Sequence, residues 1–291
     1  MTRRPAAFPR WPGWAGLGAA IALTAPSCTP PPERAQAGPA AAPTLAQTLP
    51  LGSRATYQVT DSVRIEADGE RVRFTTEAAY SALVRMRFRS AADSLLVDAS
   101  LTEFEGSLVN PTTGAVHATL ADIDGEWTAT VDRRGRVTPI ELPALSDAFR
   151  AVVGTEDLLR TLFLPLPDAP AGVGAQWVDT LRTTDEGART RQTATHIVST
   201  RVAERAEAAG RTVLILESVI ETELEAVSRA ETDEPSTQVL RGTIRRRAEW
   251  DAGLRRLVRY RATGRLSGQL EVEGLGPVPL SADVMREVVG R

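Results

Sequence analysis

The sequence predicts a mainly β fold: a long-stranded antiparallel sheet, curved into a half-barrel or clam, with a short helix pair packed on its concave face. Apolar and charged residues alternate with a period of two over unusually long runs. Compact turn signals separate those runs. After Pro143, one segment changes to helical spacing.

The clearest run is Arg71 to Arg89. Val72, Phe74, Thr76, Ala78, Tyr80, Ala82, Val84, Met86 and Phe88 fall on one face, and Arg71, Arg73, Glu77, Arg85, Arg87 and Arg89 on the other. An ordinary strand has about five or six residues, so a strand this long must curve or cross a large sheet. Tyr57, Val59, Val63 and Ile65 alternate in the same way, as do Leu95, Val97, Ala99 and Leu101.

The second half repeats the pattern. Leu214, Leu216, Ile220, Leu224 and Ala226 oppose Glu217, Glu221, Glu223 and Glu225. Leu240, Ile244, Ala248 and Trp250 oppose Arg241, Arg245 and Arg247. Val258, Tyr260, Ala262, Leu266, Leu270 and Val272 oppose Arg255, Arg259, Arg261 and Arg265. Turns are expected at Asp68-Gly69, Asp124-Gly125, Arg134-Gly135, Ala209-Gly210, Asp233 to Pro235 and Asp251 to Gly253. Short connections between such strands mean an antiparallel meander. Charge matching suggests a register in which Glu221 faces Arg245 and Glu225 faces Arg241.

Leu145, Phe149, Val152, Leu159 and Phe163 recur at helical spacing. Two short helices are expected, 144–153 and 156–163, with Gly154 as a stop and Thr155 as a new N-cap. Residues 51–291 then read as one half-barrel domain, with halves 51–143 and 174–291 around a helical insert 144–163.

Composition bounds the chemistry. The chain has 291 residues, 42% hydrophobic and 24% charged, which is enough apolar material for a core. A net charge of −3 gives no sign of a nucleic-acid partner. One Cys and two His leave too few ligands for a disulfide framework or a Cys/His zinc site. No nucleophile elbow, Walker loop or dinucleotide fingerprint occurs.

The first 28 residues read as an export signal. Arg3, Arg4 and Arg10 precede an apolar stretch from Trp14 to Ala25, shorter than the roughly 20 residues a spanning helix needs. It ends at Ala25-Pro26-Ser27-Cys28, which resembles a bacterial lipoprotein signal; Pro26 departs from the usual pattern. The resemblance implies lipidation at Cys28, and Thr29 after it implies an outer-membrane address facing the periplasm. The alternative is an ordinary signal cleaved after Ser27 or Ala37. Residues 29–50, rich in Pro and Ala, read as an extended tether.

A magnitude then points to a cavity. Eight strands about 4.8 Å apart and roughly 35 Å long present a face above about 1,000 Å². A helix of about 20 residues covers only about 30 by 10 Å of it. Leaving the rest apolar and wet would cost on the order of 15–20 kcal/mol. The sheet must therefore roll, close, or hold an apolar guest. Phe74, Tyr80, Met86, Phe88, Leu216, Ile220, Trp250, Tyr260 and Leu266 are the expected lining. Leu145, Phe149, Val152, Leu159 and Phe163 form the expected helix plug.

Arg134-Gly135-Arg136-Val137, Leu166-Pro167 and Val173-Gly174-Ala175-Gln176-Trp177 sit among long strands in an order similar to that of an uncharacterised group of bacterial envelope lipoproteins. The layout of residues 51 to 280 also resembles the half-barrel lipoprotein carriers and lipid-binding lipoproteins. That resemblance implies a membrane-tethered, non-enzymatic protein holding an acyl chain or lipid.

Candidate chemical groups each have a plainer reading. Gly172-Val173-Gly174 reads as a turn. His196 lies at inward parity as a core or cavity histidine, and His117 on a short exposed strand. Asp122, Asp124 and Glu126 resemble part of a calcium loop but lack its further ligands, so a hairpin turn is preferred. No catalytic residue, metal ligand or cofactor site is expected. Three functions remain: a carrier or binder of a hydrophobic ligand, a structural or interaction lipoprotein with a filled core, and, last, a hydrolase whose acidic groups would have to converge from distant segments.

Overall fold

In the computed structural model, the described residues are Leu45 and residues 52–291, less 92–93, 112–113, 154–156, 168, 187–189, 209, 229–235 and 273–275. The signal, Cys28 and, Leu45 apart, the tether lie outside them. So do the expected stop at Gly154, the cap at Thr155 and the turn at Asp233–Pro235. Leu45 is 1% exposed and belongs to the core, so the core reaches back into the segment read as tether.

Long alternating runs become long strands. The first half forms β1 (Arg54–Asp68), β2 (Arg73–Ala91), β3 (Ser94–Asn110), β4 (Gly114–Thr119), β5 (Ile123–Asp124), β6 (Trp127–Val131), β7 (Val137–Glu141) and β8 (Ala144–Leu145). Two short helices follow, α1 (Asp147–Val152) and α2 (Asp157–Thr161). The second half forms β9 (Gln176–Glu186), β10 (Thr190–Ala208), β11 (Arg211–Ser228), β12 (Ser236–Asp251), β13 (Arg256–Val272) and β14 (Gly276–Gly290).

Twelve strands make one antiparallel sheet in the order β7-β6-β3-β2-β1-β14-β13-β12-β11-β10-β9, with β4 also paired to β3. β5 and β8 form a separate two-stranded pair. The sheet is not closed. β1 and β14, the first and last strands, are neighbours at its middle. The chain thus meanders out to the β7 edge, and the helical insert carries it across to the β9 edge. It then meanders back.

The two edges approach each other. Arg136, just before β7, pairs with Asp179 of β9 at 3.0 Å. The connector after α2 lies between them: Leu166 N donates to Arg134 O at 2.9 Å, and Trp177 Nε1 donates to Pro165 O at 3.2 Å. A strip of irregular chain closes the seam where a ladder would close a barrel.

Parity holds through Arg71, Val72 and β2 with one exception: Val72, Thr76, Ala78, Tyr80, Ala82, Val84, Met86 and Phe88 are buried and Arg71, Arg73, Glu77, Arg85, Arg87 and Arg89 are exposed, while Leu83, at outward parity, is also buried. Bulges shift it elsewhere. Thr102 is an extra residue between the partners of Leu83 and Val84, so β3 buries Leu95, Val97, Ala99 and Leu101 and then Phe104 and Leu108. An extra residue at Val258 turns Leu257 inward beside Trp250, in the place expected for Val258.

The expected Glu221–Arg245 and Glu225–Arg241 pairs do not form. Glu221 faces Thr243, Arg245 faces Val219, and Arg241 faces Glu223, a slip of two residues. Glu223 bonds Arg241, and Glu217 bonds both Arg247 and Arg201 at 2.7 Å. A two-residue slip keeps every side chain on its face, so parity cannot choose between the registers.

α1 begins at Ser146, whose hydroxyl accepts from Phe149 N at 3.1 Å. It packs on β2, β3 and β4, with Phe149 against Phe104 at 4.7 Å between ring centroids. Gly106 makes room for it: a Cβ there would lie 2.7 Å from Val152 Cγ1.

Gly135 carries the seam's tightest constraint. Its φ is +81°, and a Cβ would meet Leu164 O at 2.2 Å. Gly135→Ala is expected to lose about 2–4 kcal/mol, combining a left-handed penalty with a backbone clash. Gly174→Ala, at φ +87° but with nothing within 4 Å, is expected to lose only about 1 kcal/mol. Denaturant unfolding of both variants checks this; equal losses would show that the seam contact contributes nothing.

Candidate functional site

Besides Asp179 of β9, which faces Val198 at the edge, three charged residues stand at inward positions of otherwise apolar strand faces: Asp61 on β1, Arg246 on β12 and Arg286 on β14. The ladders bring them into one transverse row. Thr200 of β10 faces Ser218 of β11, which faces Arg246. Arg246 faces Ala262 of β13, which faces Arg286. Arg286 faces Asp61, and Asp61 faces Tyr80 of β2. A largely polar belt therefore crosses the concave side.

Most of the belt is satisfied internally. Thr200 Oγ1 and Ser218 Oγ lie 2.9 Å apart. Asp61 and Arg286, 4% and 8% exposed, form an ion pair, and Tyr80 Oη donates to Asp61 at 3.4 Å. Arg246 differs. Its Nη2 donates to Ser218 Oγ at 3.1 Å, and its guanidinium lies 5.9 Å from the Tyr260 ring centroid. Among the described residues it forms no ion pair, and its buried Nε has no hydrogen-bond partner. Burial pulls its pKa below the ordinary arginine value and pushes the Tyr260 phenol up.

The adjoining row is apolar: Val198, Ile220, Ile244, Gly264 and Val284 on β10 to β14. The next row begins with His196 and Thr222. His196 is 1% exposed; its Nδ1 shares a hydrogen bond with Thr222 Oγ1, and its Nε2 has no partner. Burial, and then the Arg286 charge, lower its pKa to about 3, so it is neutral at physiological pH.

A cavity of about 330 Å³ spans these rows. Arg160, Thr161, Phe163 and Pro165, from α2 and the connector, border it opposite the sheet, with Arg136 and Asp179 at the seam. Of the expected lining residues, Ile220 and Tyr260 border this space. Tyr80 lies in the polar belt. Met86, Phe88, Leu216, Trp250 and Leu266 are buried and Phe74 partly so, all within the core. α1 covers the β2–β4 side, where Phe74, Tyr80, Met86 and Phe88 lie; Leu216, Trp250 and Leu266, on β11 to β13, are buried without bordering the cavity. Of the expected plug, Leu145, Phe149, Val152, Leu159 and Phe163 are all buried, and Phe163 borders the cavity.

The sequence reading missed Asp61, Arg246 and Arg286. Their signal in the sequence is a charge at inward parity on each strand. Gly172 to Gly174 is a turn, as expected, and His117 on β4 is exposed. Asp122 serves as a clasp: it accepts from Thr119 N and from Ser146 Oγ, each at 2.8 Å, which holds its carboxyl below the usual range. Among the described residues no three His, Cys, Asp or Glu side chains gather as a metal site, and no helix is long and apolar enough to cross a membrane.

No family model matches the chain, and no curated protein matches it. One similar solved structure is an outer membrane channel from Pseudomonas putida F1, at 10% identity, covering 88% of this chain and 100% of that one with a TM-score of 0.23. Another is a Bacteroides fragilis NCTC 9343 protein with a YmcC-like fold, at 10% identity, covering 84% and 98% with a TM-score of 0.22. Likeness at that level carries no argument about function.

His196 makes stability pH-dependent. Its folded pKa of about 3 lies below the unfolded value near 6.5, so the unfolded chain takes up the proton first. The stability is complete above about pH 6.5 and drains as pH falls toward 3. Between pH 7 and pH 4, His196→Gln is expected to lose less stability than the parent, by an amount on the order of a few kcal/mol. Urea unfolding at both pH values measures this, and parallel losses would contradict it.

Proposed function

We propose that this chain is a non-enzymatic, membrane-tethered envelope lipoprotein that binds or carries a hydrophobic ligand, an acyl chain or lipid, inside its rolled sheet. The observation that supports this reading is the cavity of about 330 Å³, floored by Val198, Ile220, Ile244 and Val284. It lies at the lower end of the range of about 300–1,000 Å³ seen for ligand pockets. It equals roughly ten water volumes, room for a chain of about ten carbons. A structural lipoprotein with a filled core is the second reading, and the close packing around Phe88, Trp250 and Leu266 favours it. The apolar floor of the cavity weighs for the first.

The proposed address rests on the N-terminal sequence: a basic start, an apolar stretch, and the chain's single cysteine at its end. Lipid at Cys28, followed by a Pro/Ala-rich tether, would hold the folded part off a membrane surface, with the outer membrane facing the periplasm as the proposed location.

Native mass spectrometry of the purified protein is expected to show a stoichiometric hydrophobic guest. Ile220→Trp, which fills the cavity floor, is expected to lose that guest while keeping its secondary structure by circular dichroism. Guest-free parent protein would favour the filled-core reading. Separately, Cys28→Ser is expected to move the protein from the membrane to the soluble fraction of fractionated cells; unchanged membrane association would remove the anchor.

A further inference from the structure

Among the described residues, Arg246 is the cationic group of the belt that pairs with no carboxylate. Arg286, two strands away, is neutralised by Asp61. Arg136 and Arg134, at the seam, share Asp179. On its own strand Arg246 lies between Arg245 and Arg247, which face outward, and its cross-strand neighbours are Ser218 and Ala262. A guanidinium taken partly out of water with an idle Nε is costly unless an anion completes it. Its planar fork of donors suits an oxyanion.

The register also gives the cavity a direction. Arg246 and Ser218 stand at one side, Ile220 and Ile244 form the floor one row along, and Thr222 with His196 closes the second row. Four residues along a strand separate the Arg246 and His196 rows, about 13 Å. The neutral imidazole is thus too distant to share a head group with Arg246. Gly264, between Ile244 and Val284, leaves the floor without a side chain, because a Cβ there would lie 2.6 Å from Thr243 O.

We infer that the ligand is an anionic amphiphile: an oxyanion head, carboxylate or phosphate, held by the Arg246 fork at the belt, and a single apolar chain laid along the Ile220–Ile244 floor toward His196. This inference rests on the ligand-binding reading above and narrows it. It predicts discrimination by head group at constant chain length.

Isothermal titration of the delipidated, otherwise intact protein is run with decanoate, decyl phosphate, decanol, decyltrimethylammonium and inorganic phosphate. Decanoate or decyl phosphate is expected to bind roughly tenfold or more tighter than decanol, and which of the two is tighter identifies the head. The cationic amphiphile is expected to bind weakest, and inorganic phosphate alone not measurably. Arg246→Met is expected to bring the anionic ligands down to about the decanol affinity. Binding of both anionic amphiphiles no tighter than decanol by the parent protein overturns the head-group assignment while leaving the hydrophobic-ligand reading intact. Absence of binding by every amphiphile overturns both. Inorganic phosphate binding as tightly as decyl phosphate overturns the amphiphile and leaves an anion site. The comparison between ligands on the parent protein decides the inference even if the variant fails to fold.

Discussion

A broad antiparallel sheet with one apolar face must hide that face from water, and this one does so without joining its own edges. Its first and last strands occupy the middle, so its two free edges are the ends of the two halves. Among the described residues, the segment between those halves runs from one edge to the other. That segment therefore does two jobs. Its first helix covers the β2–β4 side, where Gly106 gives Val152 room and Phe149 meets Phe104. Its tail lies along the seam, held by Arg134, Pro165 and Trp177. The cavity is what two helices of five or six residues leave uncovered.

The Asp61–Arg286 pair joins strands 225 residues apart in sequence. A buried ion pair gives little net stability against a well-packed apolar pair, because both charges lose water. It is better suited to specifying register. A slip of two residues between β1 and β14 would preserve parity but set Arg286 opposite Val59 or Val63, separating the two buried charges from each other. Elsewhere the sheet leaves such choices to exposed pairs such as Glu223–Arg241, each worth little.

Parity was legible because a period of two is imposed by the pleat itself and repeats over many residues. The faces of β2, β11 and β12 could be read from the chain directly. What slips by two residues could not, since Glu221–Arg245 and Glu223–Arg241 satisfy the same pattern. Bulges were equally hidden: one extra residue at Thr102 or Val258 costs no pattern on either side. The helices were placed correctly but are shorter than expected, because Ala144–Leu145 pairs with Ile123–Asp124 and α1 starts only after Ser146. The polar belt was readable in principle. Asp61, Arg246 and Arg286 each break an apolar face at inward parity, and only their alignment across strands requires the fold.

The irregular strip at the seam has a mechanical meaning. A closed barrel can admit a guest to its interior only through its ends or by tearing a ladder. Here the wall has a line crossed by bonds such as Leu166–Arg134, Trp177–Pro165 and the pairing of Arg134 and Arg136 with Asp179. Parting that line leaves all of the sheet's strand pairings intact, so the interior can be reached at the cost of a local opening, with the fold otherwise undisturbed.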